Sequence, residues 1–300
     1  MAATHGSPDG RCYNGTVNSG VAGDDRGPGE RPGPPASCCP PISTAETLSG
    51  RPGIVDLWLF LLDDVDEPGR FRSYEALLSR EERERRDRFR FERDRRLYLA
   101  TRALVRTSLS RYRDVSPEEW RFAADDRGRP RLVGPELSPP IHLNLSNTAG
   151  LVACAVSVAH PRVGVDAEAK DRPAALEIAE RFFAPGEVQA LRALPGERQR
   201  ARFFAYWTLK ESYIKARGVG LSLPLERFAF LLEEGPEIGV AFEPELGDVP
   251  ARWRFALLHP TPRHALAVAA DTAGAPLSLR AARCVPLGRE GPGPVPLRAR

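Results

Sequence analysis

No apolar run in the sequence is long enough to cross a bilayer. The longest, Ile54 to Leu62, is interrupted by Asp56 and falls well short of the ~20 residues required. The chain opens on Met1-Ala-Ala-Thr-His, without the basic flank and apolar stretch of a secretion signal, so a cytoplasmic protein with no membrane partner is expected. Net charge is small as well: 43 Lys and Arg face 40 Asp and Glu, a formal +3 that gives bulk electrostatics no hold on nucleic acid. Its five cysteines include no CxxC pair, which removes a zinc clamp and a disulfide framework. Cys12, Cys38 and Cys39 lie in a polar stretch, whereas Cys154 and Cys284 stand singly among apolar residues. The nucleophile elbow GxSxG, the phosphate loop GxxxxGK[ST], the HExxH helix and the dinucleotide fingerprint GxGxxG are all missing. His5, His142, His160, His259 and His264 show no ligand spacing, and His142, alternating with Leu143 and Leu145, reads as structural.

What is present is a globular composition, 42% apolar and 28% charged, over 300 residues, enough for one or two domains. Residues 1–53 carry 10 Gly and 8 Pro with Tyr13 as their one aromatic, a composition that cannot repay chain entropy by burial and predicts a disordered tail. Residues 286–300 share that character and predict a flexible end. Between them one pattern occurs twice. A strand at Ile54–Leu62 leads to a charged helical stretch over 79–112 and then to short β-like runs at 120–124, 141–145 and 151–158. A strand at 163–168 leads to helices near 172–183, 186–193 and 197–216, then to β-like runs at 228–232, 238–242, 253–258 and 265–270. Helix followed by antiparallel strands, twice over, predicts an α+β protein of two similar halves, 54–160 and 161–285, with a ligand cleft between them.

Asp166 and Glu168 stand two apart on a predicted strand and share a face. Two convergent carboxylates repel unless a cation such as Mg²⁺ lies between them; two solvated acids on an edge strand are the plainer alternative. Trp207, Glu211 and Lys215, at i, i+4 and i+8, share one stripe of a helix that Gly218 can end in a left-handed cap. Either Glu211 and Lys215 form a solvated ion pair, or Glu211 joins the two acids around one metal while Lys215 touches a phosphate. The stretch Arg80–Arg96 holds nine arginines against six acids, a solvated face from which a few side chains could grip phosphate. Arg129, between Gly128 and Pro130, is a second such candidate or an ordinary hairpin-tip charge.

Taken together, Gly164-Val-Asp166-Ala-Glu168 and Trp207-Thr-Leu-Lys210-Glu211-Ser-Tyr-Ile-Lys215 resemble the paired signatures of the 4′-phosphopantetheinyl transferases, in their larger, surfactin-synthetase-activating type. Arg181-Phe-Phe-Ala-Pro-Gly-Glu187, Gly218-Val-Gly-Leu-Ser-Leu-Pro-Leu, Gly128-Arg-Pro130 and Asn144-Leu-Ser146-Asn147 resemble further pieces of that family, over residues 54–272. The resemblance implies transfer of the phosphopantetheine arm of coenzyme A to a serine of an acyl or peptidyl carrier protein, releasing 3′,5′-ADP, in a fold with pseudo-twofold symmetry. It implies Mg²⁺ on Asp166, Glu168 and Glu211, and either Glu211 or Glu187, the latter through a water, as the base for the serine proton. It places Lys215 near the α-phosphate, and Arg85, Arg129 and Ser146 at the 3′-phosphoadenosine end. Asn147 stands where many members have histidine, and Glu82 where some have a basic residue, so altered coenzyme A affinity is expected. A monomer is expected, because two halves of one chain supply both sides of a site. The rival readings are a Mg²⁺-dependent phosphohydrolase, which would break down coenzyme A without an acceptor, and an RNA-binding module using Arg80–Arg96, against which the six interspersed acids argue.

Overall fold

A computed structural model describes residues 54–65, 68–125, 130–172, 176–232, 237–288 and 293–294; the tail expected over 1–53 and the candidate Arg129 lie outside the described residues. In the first half, β1 (Ile54–Leu61) leads through α1 (Pro68–Glu75) and α2 (Arg80–Asp87) to the long α3 (Glu92–Leu109). A hairpin, β2 (Arg121–Ala124) and β3 (Pro130–Gly134), then precedes β4 (His142–Thr148) and β5 (Leu151–Ser157). The second half repeats the plan: β6 (Val163–Ala169), α4 (Leu176–Phe182), α5 (Pro185–Arg192) and the long α6 (Gly196–Arg217). A hairpin again follows, β7 (Phe228–Leu231) with β8 (Gly239–Phe242), and then β9 (Trp253–Leu258) and β10 (His264–Asp271). Strand order repeats as well, β1-β5-β4 in one sheet and β6-β10-β9 in the other, all antiparallel.

The alternation of side chains on β-strands sorts the core into layers. Trp58 and Phe60 of β1 with Val152, Cys154 and Val156 of β5 face α3, against Leu99, Ala100, Ala103 and Leu104. The opposite face, Val55, Leu57 and Leu59 with Ala153 and Ala155, packs on Val163, Val165 and Ala167 of β6 and Leu266, Val268 and Ala270 of β10. Ala265, Ala267 and Ala269 turn the other way, toward the Phe203–Ile214 face of α6. The result is helix, sheet, sheet, helix. Both long helices lie outside, and the two sheets share one apolar interior.

Three expectations need correction. The single helical stretch over 79–112 is two helices, because Phe91 is extended (φ −103°, ψ 140°) and Phe89 folds its ring against Tyr98. Strand β11 (Ser278–Arg283) pairs in parallel with β1 although its residues were counted with the second half. Arg280 fixes it there with two hydrogen bonds to the buried Asp56, at 2.6 and 3.0 Å. In the end expected to hang free, β12 (Gly293–Pro294) pairs with β11.

Candidate active site

β4 lies alongside β6, yet the two share no backbone ladder. Asn144, Ser146 and Thr148, alternate residues on one side of β4, instead accept hydrogen bonds from the N–H groups of Val165, Ala167 and Ala169 at 3.0, 3.1 and 3.1 Å. β6 is an edge strand, so its outward N–H groups lack a strand partner, and this side-chain ladder satisfies them while joining the halves.

α6 crosses the other side of β6, and its closeness depends on one residue. A Cβ added at Gly164 would stand 2.0 Å from the Ser212 carbonyl oxygen and 2.5 Å from the Ala216 nitrogen, so only glycine lets helix and strand backbones meet here. Along an otherwise buried stretch of α6, Trp207, Glu211 and Lys215 are half-buried, and Gly218 closes the helix in the left-handed region (φ 71°). Glu211 and Lys215 face Asp166, whereas Trp207 packs against Phe182, Phe183 and Phe203. Lys215 Nζ donates to Asp166 Oδ1 at 2.6 Å, to Ser146 Oγ at 3.0 Å and to the Val165 carbonyl at 3.2 Å. Ser146 Oγ donates to the same Asp166 oxygen at 3.1 Å. Asp166 is 6% exposed, and its Oδ2 is buried with no hydrogen-bond partner. Glu168 turns to Arg172, 2.7 Å away.

Burial first, then the charges of Asp166 and Glu168, push the Glu211 carboxyl up to about 7 despite the opposing ammonium of Lys215. Burial and Asp166 likewise raise Glu168, against Arg172 and Lys215. Asp166 and Glu168 thus oppose the ionisation of Glu211, and Asp166 that of Glu168. Among the described residues they do not stand as a closed three-ligand set, since Lys215 engages Asp166 and Arg172 engages Glu168.

Known proteins are similar to this chain in sequence. Residues 67–159 match the N-terminal region of 4′-phosphopantetheinyl transferases, and residues 162–269 match the 4′-phosphopantetheinyl transferase superfamily. The 4′-phosphopantetheinyl transferase HetI of Nostoc sp. is 37% identical over 169 residues, 56% of this chain and 70% of HetI. The 4′-phosphopantetheinyl transferase Sfp of Bacillus subtilis is 36% identical over 175 residues, 58% of this chain and 74% of Sfp. The chain belongs to the 4′-phosphopantetheinyl transferase superfamily. It is therefore an enzyme, and the two matched regions of the transferase meet in the turn between β5 and β6, where the fold's second half begins.

The transferase handles the remaining candidates unequally. Glu187 is 2% exposed, and its oxygens are taken by the Ala184 N–H (2.9 Å), the Phe230 N–H (2.8 Å) and Lys210 Nζ (2.7 Å). Three of its four acceptor sites are thus taken in a buried setting, which ties Glu187 to α5, α6 and the hairpin and gives the base role expected for it no open access. Glu82, where some members have a basic residue, caps α2 and pairs with Arg106 at 2.6 Å. Exposed Arg85 lies over the Tyr98 ring, 5.9 Å from its centroid, and with Arg102, Phe122 and Pro130 lines a cavity of about 240 Å³. Asn147 is exposed, and its amide donates to Thr101 on α3 at 3.2 Å, linking the seam toward that cavity. Sequence reasoning missed Arg102 and Tyr98, whose Nη1 and hydroxyl are buried at the cavity without hydrogen bonds. It also missed the ladder partners Asn144 and Thr148, although polar residues at alternate positions of a strand are a readable signal.

Proposed function

We propose that the transferase moves the 4′-phosphopantetheine arm of coenzyme A to a serine of an acyl or peptidyl carrier protein, releasing 3′,5′-ADP, as a cytoplasmic monomer. The observation that carries this reading is the meeting of Glu211 and Lys215 on α6 with Asp166 and Glu168 on β6. The acids suit Mg²⁺: the Asp166 Oδ2 atom is an orphaned buried acceptor, and a hard dication would relieve the repulsion that raises Glu168 and Glu211. Asp166, Glu168 and Glu211 would hold it. When bound, it supplies charge neutralisation at the pyrophosphate.

The chain's own groups do the rest. Glu211 accepts the serine proton as the hydroxyl oxygen bonds to phosphorus and the bond to 3′,5′-ADP breaks. Lys215, already pointing its ammonium across the seam, holds a phosphate oxygen beside the leaving group. Arg85 and Arg102 receive the 3′-phosphate end at their cavity, and the exposed Asn147, whose amide is held by Thr101, is a neutral donor in place of a charged one. Intact mass spectrometry of apo carrier proteins incubated with the transferase, coenzyme A and Mg²⁺ tests the reading. One phosphopantetheine is gained by at least one carrier, and chelation by EDTA prevents the gain. Breakdown of coenzyme A with every carrier unmodified would instead identify a phosphohydrolase.

A further inference from the structure

Glu187 and Lys210 are buried, charged and unused by the chemistry above. The first half contains a pair of the same construction. Glu187 Oε2 accepts the Ala184 N–H at the start of α5 and Lys210 Nζ from α6. Glu82 Oε2 accepts the Ser79 N–H (3.0 Å) at the start of α2 and Arg106 Nη2 (2.6 Å) from α3. Each cation then reaches two carbonyls three residues apart, at or just before the start of the first hairpin strand. Lys210 donates to Leu225 (2.8 Å) and Phe228 (2.6 Å), and Arg106 to Pro117 (3.1 Å) and Trp120. Each also lies over an aromatic ring of that hairpin, Lys210 4.3 Å from the Phe228 centroid and Arg106 5.2 Å from that of Phe122. The residue after the cation differs. Thr107 in the first half bonds back to the Ala103 carbonyl (2.8 Å), whereas Glu211 in the second faces Asp166.

We infer that Glu187 and Lys210 are positioning residues, the second copy of a three-way tie that fastens short helix, long helix and hairpin in each half. Beside the site this tie fixes the rotation of α6, and with it where Glu211 and Lys215 point. The first copy forms the same tie without an acid in the next position, so the construction belongs to the architecture and not to proton transfer. A Lys in one copy and an Arg in the other show that the tie needs a cation able to donate to a carboxylate and two carbonyls.

The kinetic test rests on the proposed transfer; a second readout does not. Glu187→Gln keeps the shape and removes the charge. It lowers kcat about tenfold, the scale of a slightly misplaced catalytic group, with KM for coenzyme A held within about twofold. Lys210→Met loses kcat in the same way, and Lys210→Arg, the residue the first half uses, restores it to within about threefold. Glu82→Gln, which also weakens the ion pair of Glu82 with Arg102 (3.4 Å) at the cavity, acts mainly on KM for coenzyme A. A loss of a hundredfold or more in Glu187→Gln would mark it as a general base and overturn the inference. Unchanged kcat in both Glu187→Gln and Lys210→Met would overturn it as well. Without any substrate, amide exchange across residues 203–217 speeds up about tenfold in Glu187→Gln, and unaltered exchange refutes the tie whether or not transfer is observed.

Discussion

Glu211 has the site's most informative environment, because three influences on its carboxyl can be separated. Burial raises it, Asp166 and Glu168 raise it further, and Lys215 opposes them, leaving it at about 7. Between the unfolded carboxylate value near ~4.3 and that raised value, the folded protein binds more protons than the unfolded chain, so this group's contribution to stability falls as pH rises through the interval. A cation among the acids reverses the loss only where they are ionised. Mg²⁺ is therefore expected to raise Tm clearly at pH 8 and little at pH 5, by differential scanning fluorimetry; an equal gain at both would separate the ion from these acids. Asp166→Ala and Glu211→Ala are each expected to lower transfer by about 10²–10⁴-fold with an unchanged far-UV circular dichroism spectrum. Near-normal turnover in either would refute its assigned role.

At the scale of elements, the site is an intersection of β4, β6 and α6, and each contact has one chemical condition. β4 meets β6 through the Asn144, Ser146 and Thr148 oxygens, and α6 meets β6 through the missing Cβ of Gly164. Gly164→Ala places a methyl group against two backbone atoms that no side-chain rotation can move. It is expected to cost about 3 kcal/mol or more in urea denaturation and to abolish transfer, since displacing α6 carries Glu211 and Lys215 away from Asp166. A fully stable, active alanine variant would show that helix and strand lie farther apart than described. The correction to the 79–112 helix arises at this scale too: the Phe89–Phe91 break offers neither proline nor glycine as a warning, and its cause is the packing of Phe89 on Tyr98.

For the whole molecule, repetition does not mean independence. The apolar layer between the sheets draws Val55, Leu57 and Leu59 from one half and Val165, Leu266 and Val268 from the other, and neither set is covered without its counterpart. β11 adds a second tie by returning to the first sheet. A single cooperative transition is expected. Trp58 and Trp120 report on the first half, Trp207 and Trp253 on the second. Single Trp-retaining variants unfolded in urea should give midpoints that coincide with each other and with circular dichroism; two separated midpoints would mean that the halves unfold as separate domains.

The order of the elements, the doubled strand-helix-hairpin plan and the acids of β6 and α6 were legible in the sequence, because period-2 and period-3.6 patterns and local caps act over a few residues. The return of β11 to a strand more than 200 residues earlier was not, since Ser278–Arg283 is half-exposed and its partner is chosen by an open sheet edge. Nor was the separation of Glu187 from Glu211. Both looked like candidate bases in one dimension, and only folding decided that Lys210 and two backbone amides occupy the first while Asp166 and Glu168 crowd the second. The sequence determined which chemical groups this transferase has and on which element each rides. Tertiary structure decided which of them keep an unshared oxygen at the seam, because that depends on long-range neighbours and burial that no local spacing encodes.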